Sequence, residues 1–241
     1  MNFETTNWSL VFRASASATD VRRVALAGLC EAYWYPLYSF VRRRGCDHED
    51  AADLVQTFFV HLIEKHGFDG LTPERGRFRA FLLASFKNFQ ADARDRAHAQ
   101  KRGGHLIRIP WDANFLDARY AATATASEDA EHLFARQWAL TVIERARQRL
   151  RAQYADAGKA HEFEVMLPYL APEHRQHATA PLARALAITE GAARAMLLRF
   201  RRRFGSALRA EVASTVETAQ EVESELRFLL SAIEGYDHHV G

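Results

Sequence analysis

Helix-forming residues dominate this chain: Ala, Leu, Arg, Glu and Gln fill segment after segment, and the period-two alternation of a half-buried strand is nearly absent. That pattern restricts the fold to the all-α class. With 241 residues the chain can bury one large core or two small ones. A first helix is expected from Asp20 to Arg44, stopped at Gly45 and kinked or divided by Pro36. Asp47 is placed to cap a second helix with Asp50 at its third position, and Lys65, His66 and Gly67 close it. Thr72-Pro73 opens a third, which carries Phe78, Phe81, Leu82, Phe86 and Phe89 at helical spacing toward Gly103-Gly104. Periodicity then fails from His105 to Ser127, which marks a flexible linker. Ser127 is the expected cap of a helix over Glu128–Tyr154, with Leu133, Phe134, Trp138, Val142 and Leu150 inward. A short helix around Phe163–Leu170 follows, then two helices about Ala187-Ile188-Thr189, then an acidic amphipathic helix over Glu217–Ile233.

The formal net charge of +2 argues against a polyanionic partner until it is mapped along the chain. Between Arg75 and Arg102 eight bases face two acids, a net of +6. Between Arg194 and Arg209 six arginines face no acid, again +6, whereas residues 210–241 carry seven acids and one base, a net of −6. Separate blocks of this kind are the electrostatic footprint of a nucleic-acid-binding protein with an acidic tail.

Two segments carry the chemistry. Pro181–Leu208, PLARALAITEGAARAMLLRFRRRFGSAL, reads as a short helix, a tight turn and a second, basic helix, which is helix-turn-helix arithmetic. Glu190, Gly191 and Arg194 stand at the start of that second helix, where base edges are read, and Arg199, Arg202 and Arg203 suit phosphates. Asp47–Gly104 joins an acidic amphipathic helix to an aromatic and basic one, and aromatics interleaved with bases suit single-stranded DNA. Most of these rings are nevertheless expected in the core.

LCEAYWYPLYSFVRRRG, DHEDAADLVQTFF, RGRFRAFLLASFKNF and the helix-turn-helix, in that order, resemble an extracytoplasmic-function (ECF) sigma factor of bacterial RNA polymerase, within the sigma-70 family. The resemblance implies a region 2-like helical bundle over residues 1–104, a linker over 105–127 and a region 4-like helix-turn-helix domain over 128–213. An acidic extension over 214–241 exceeds a minimal factor of this type. It further implies that Asp50, Asp53, Leu54, Gln56 and Phe59 match the helix that docks on core polymerase. Phe78, Phe81 and Asn88, with Arg94, Arg96 and Arg102 in the basic continuation, match the part that captures and melts the minus-ten element. Glu190, Gly191 and Arg194 match the start of the helix that reads the minus-thirty-five element. Ala52 stands where many relatives have Glu, and Ala192-Ala193 where a Thr-Val pair is common.

The expected partners are therefore core RNA polymerase and promoter DNA, both duplex and single-stranded. No catalytic residue, cofactor or metal is expected: His61 and His66 lie five apart, off the i, i+4 register of a zinc helix, and no HExxH occurs. The chain is expected not to be an enzyme. A cytoplasmic location is expected, since Met1–Leu10 lacks a basic-then-apolar pattern and no apolar run reaches roughly 18 to 20 residues. The competing reading is a stand-alone helix-turn-helix regulator, which accounts for Pro181–Leu208 but leaves Asp47–Gly104 unexplained. The tail is open to two readings: a helix that packs on the C-terminal domain, or a self-inhibitory segment that folds over Arg199–Arg203 in the role of an anti-sigma protein.

Overall fold

The computed structural model describes residues 19–64, 78–99, 118–121, 123–124, 128–171, 179–213, 216 and 219–237. Among them no strand occurs, and the fold is all-α. The helices are α1 (Thr19–Arg43), α2 (His48–Glu64), α3 (Phe78–Ala99), α4 (Ala130–Asp156), α5 (Ala160–Met166), α6 (Ala180–Ala185), α7 (Glu190–Ala213) and α8 (Ala219–Asp237), with a 3-10 turn at Leu167–Leu170. The expected boundaries at Lys65–Gly67, Thr72-Pro73 and Gly103-Gly104, most of the linker, and Ser127 lie outside the described residues. By packing, the chain divides into two units, Met1–Thr141 with Val212–Gly241, and Val142–Glu211. These units are drawn differently from the sequence segments: α4 and α7 each contribute to both, and the acidic C-terminal helix joins the N-terminal unit.

In the first unit α1 passes through Pro36 without being divided. Every residue from Ala32 to Val41 is buried. Packing on all sides holds the turn that the missing N–H would otherwise open. The helix stops in a Schellman motif: Gly45 has φ +87°, its N–H donates to the Arg42 carbonyl at 3.0 Å, and that of Cys46 donates to Val41 at 3.3 Å. Asp47 then caps α2, its Oδ1 accepting from the Asp50 N–H at 2.8 Å. The core is aromatic. Phe86 of α3 meets Phe58 of α2 edge-on at 5.0 Å and Phe40 of α1 at 6.2 Å, and Phe58 lies 5.5 Å from Phe89.

Part of the expected linker belongs to this unit. Residues 118–121 are helical, with the Arg119 guanidinium 3.7 Å from the Tyr35 ring and the Arg42 guanidinium 5.2 Å from the Tyr120 ring. Arg136, nearly buried on α4, forks onto the Glu128 carboxylate at 2.8 and 2.5 Å and also donates to the Thr123 carbonyl. Asp129 caps α4 by accepting the His132 N–H at 2.8 Å, and that bond above all holds its carboxyl below the usual carboxylate range. The cap is thus set two residues beyond Ser127, because α4 begins at Ala130.

α8 packs within the same unit. Glu225, 1% exposed, pairs with Arg79 of α3, Phe228 lies 6.2 Å from Trp138 of α4, and Leu229 is buried. The tail was expected either to pack on the C-terminal domain over 128–213 or to cover Arg199–Arg203; its described partners are Trp138, inside 128–213, and Arg79 of α3. The amphipathic face that carries Glu225, Phe228 and Leu229 is the side it buries.

The second unit is built on Tyr154 of α4, Phe163 of α5 and Phe200 of α7, whose ring centroids lie 5.6–5.9 Å apart, surrounded by Leu150, Met166, Leu182 and Leu197. Two further Schellman stops shape it. Gly158 at φ +70° ends α4, and Ala187 at φ +53° ends α6, where the Ile188 N–H donates to Ala183 at 3.0 Å and that of Ala187 to Arg184 at 3.2 Å. Thr189 then caps α7, its Oγ1 accepting the Ala192 N–H at 3.2 Å. Arg145 and Arg149 of α4 both pair with Glu211 of α7.

Candidate nucleic-acid interface

On α2 the Asp47 cap sets the register that separates two faces. Asp50 and Asp53 are exposed and Leu54 is half-buried, forming a short acidic surface. Gln56 and Phe59 turn inward and are buried, Phe59 with its ring 5.6 Å from that of Phe58. They hold the helix in place rather than offering contact area.

On α3 the expected residues also divide. Phe78 is buried edge-on to Tyr33 at 5.3 Å, and Phe81, 6.3 Å from it, is half-buried. Asn88 is exposed on a line with Ala80 and Ala84, so small residues leave its amide accessible. Arg94 and Arg96 fall in the last part of α3, where side chains are outside the described residues, as is Arg102 altogether. An open cleft of about 590 Å³ lies beside this helix, but its charged walls satisfy one another: Lys87 pairs with Glu131, and Arg44 donates to Gln90 at 3.0 Å. Arg79 is one of the eight bases of the Arg75–Arg102 block, and its partner lies 146 residues away. No local pattern links two such positions.

In the second unit α7 presents Glu190, Arg194, Leu198 and Arg202 in one line four residues apart, with Gly191, Ala195, Arg199 and Arg203 beside them, all exposed. Opposite, Ala193, Leu197 and Phe200 are buried. The arginines therefore share one outward face because the apolar residues are committed to the core. Arg201 is the exception: it lies half-buried and donates twice to the Tyr169 carbonyl, at 3.3 and 3.1 Å, which ties α7 to the 3-10 turn. Arg203 reaches back to within 5.6 Å of the Tyr154 ring. Leu198 is 51% exposed between arginines, and the only sequence signal that places it there is its i+4 spacing from Arg194.

Among the described residues no group of three or more His, Cys, Asp or Glu is arranged to hold a metal, and no helix is long and apolar enough to cross a membrane. The Cys30 thiol is pushed up to about 12 by burial and then by the Glu31 carboxylate. Comparison with curated proteins and with solved structures gives no match. Residues 15–99 match the family model for Sigma-70 region 2, the segment that carries α2 and α3.

Proposed function

We propose that the protein is an ECF-type sigma factor that binds core RNA polymerase through α2 and directs it to promoters by two contacts. The observation that carries this reading is the region 2 match over residues 15–99, which spans α2 and α3. Asp50, Asp53 and Leu54 supply the polymerase-facing surface, positioned by the buried Gln56 and Phe59. Asn88, with Phe81 and the basic continuation of Arg94, Arg96 and Arg102, receives an unstacked base of the minus-ten element. Extruding that base costs a few kcal/mol, offset by pocket contacts and phosphate attraction.

The α6–α7 pair acts as a helix-turn-helix on the minus-thirty-five duplex. Glu190, Gly191 and Arg194 meet base edges, and Arg199, Arg202 and Arg203 meet phosphates. The exposure of all six supports this assignment. The region 2 match also weighs against a stand-alone helix-turn-helix regulator.

The test is co-elution of the full chain with core polymerase, followed by run-off transcription on genomic fragments. Asp53→Arg is expected to abolish co-elution while leaving duplex binding intact. Failure of the unaltered chain to form a complex with core would refute the reading.

A further inference from the structure

We propose that Arg79 and Trp138 form a binding site for single-stranded nucleic acid, and that α8 occupies it in this structure by presenting a carboxylate where a phosphate would sit and a ring where a base would stack. Four observations meet at this point. The Arg79 guanidinium donates from Nε to one Glu225 oxygen at 3.0 Å and from Nη2 to the other at 3.2 Å, the two-pronged geometry that serves carboxylate and phosphate alike. Its carbon lies 3.5 Å from the centroid of the Phe228 ring and 5.4 Å from that of Trp138, and the two rings are themselves 6.2 Å apart, so the cation lies against an aromatic pair. Arg79 and Trp138 belong to α3 and α4, whereas Glu225 and Phe228, which contact them, belong to α8. With α8 lifted away, an arginine beside an indole is left, which is the pairing that single strands use for backbone and base.

Position supports the same assignment. Arg79 follows Phe78 and precedes Phe81 on the helix that carries Asn88, inside the basic block of +6. α8, which covers it, carries five acids against one base, a net of −4. A plain staple gains little from charge here, since a buried ion pair holds two helices no better than an apolar contact of the same volume. The inference rests on the sigma reading for its ligand, the melted promoter strand, and pairs an arginine of the RGRFRAFLLASFKNF segment with a tryptophan that lies outside every motif. α8 then competes with DNA for Arg79, and loading onto a promoter requires that it yield.

Fluorescence anisotropy of the full chain with a labelled oligothymidylate of about 15 nucleotides tests this. Glu225→Gln is expected to tighten binding by about tenfold, the weight of one charge-assisted hydrogen bond. Adding Arg79→Gln is expected to cancel the gain and to lower the slope of log affinity against log salt by about 0.7, one phosphate contact. Phe228→Ala, which keeps both charges, is expected to tighten binding as well, and it decides the matter if Glu225→Gln does not fold by circular dichroism. Unchanged affinity in a folded Glu225→Gln chain, or a double variant as tight as the single, overturns the proposal. Co-elution with core polymerase is run in parallel: its loss in the unaltered chain refutes the sigma reading, while the oligonucleotide measurements still decide the Arg79 site.

Discussion

Among the described residues three helices end in the same hydrogen-bonded stop, and the residue in the left-handed position differs: Gly45 and Gly158 in two, Ala187 in the third. An L-residue in that conformation costs roughly 1–2 kcal/mol, and a glycine there gives back about 0.4–1 kcal/mol through its freer unfolded chain. The difference makes Ala187→Gly stabilising and Gly158→Ala destabilising, each by about 0.5–1 kcal/mol. Nothing lies within 4 Å of a β-carbon built at Gly158, so the second change tests backbone strain free of any clash. The φ of Ala187, +53°, is close to the left-handed minimum near +57°, which puts its gain at the lower end of the range. Both sites lie in the unit Val142–Glu211, so hydrogen-exchange mass spectrometry on α6 and α7 reports them locally, with urea unfolding by far-UV circular dichroism as the global measure. Protection in α6–α7 should rise for Ala187→Gly and fall for Gly158→Ala. A drop in protection for Ala187→Gly would refute the reasoning, because it would mean that the alanine methyl contributes packing worth more than the strain.

Two further outcomes follow from the first unit. Arg136→Ala should lower stability by about 3 kcal/mol, because it strands the Glu128 carboxylate in a site where both partners are nearly buried; Arg136→Met with Glu128→Gln should recover most of it in a thermal melt. Cys30, its thiol pushed up to about 12 from 9.0, should react with iodoacetamide at pH 8.5 about a thousandfold more slowly in the native state than in urea. For the same thiol the sign with pH is fixed: the neutral form is the one the fold favours, so its contribution is complete below pH 9 and is lost as pH rises toward 12.

What the sequence makes legible here is local. Asp47 with Asp50 three residues on is a cap by itself, and it appears where expected, as do the buried positions of Leu133, Phe134, Trp138, Val142 and Leu150. Pro36 does not divide α1, because the local rule for proline counts one lost hydrogen bond and is blind to the burial of Ala32–Val41. Gln56 and Phe59 lie buried beside the exposed Asp50 and Asp53, a division between core and surface that the motif does not show. The outward line of Glu190, Arg194, Leu198 and Arg202 was partly legible, since charge marks three of the four and only the helical repeat marks Leu198. The Arg79–Glu225 pair was out of reach, because a contact across 146 residues leaves no trace in either neighbourhood.

That long separation bears on the order in which the protein is made. The first unit is discontinuous, its last helix following the whole of the second unit in the chain. During synthesis α3 leaves the ribosome well before its partner exists, so Arg79 and Trp138 wait uncovered while translation runs on through residue 225. Closing a free loop of that length costs about 4 kcal/mol beyond a constant, and prior folding of residues 142–211 shortens the loop that remains. The nascent chain therefore passes through a stage in which its second unit is folded and its N-terminal face is still open, and the final helix is the piece that ends it.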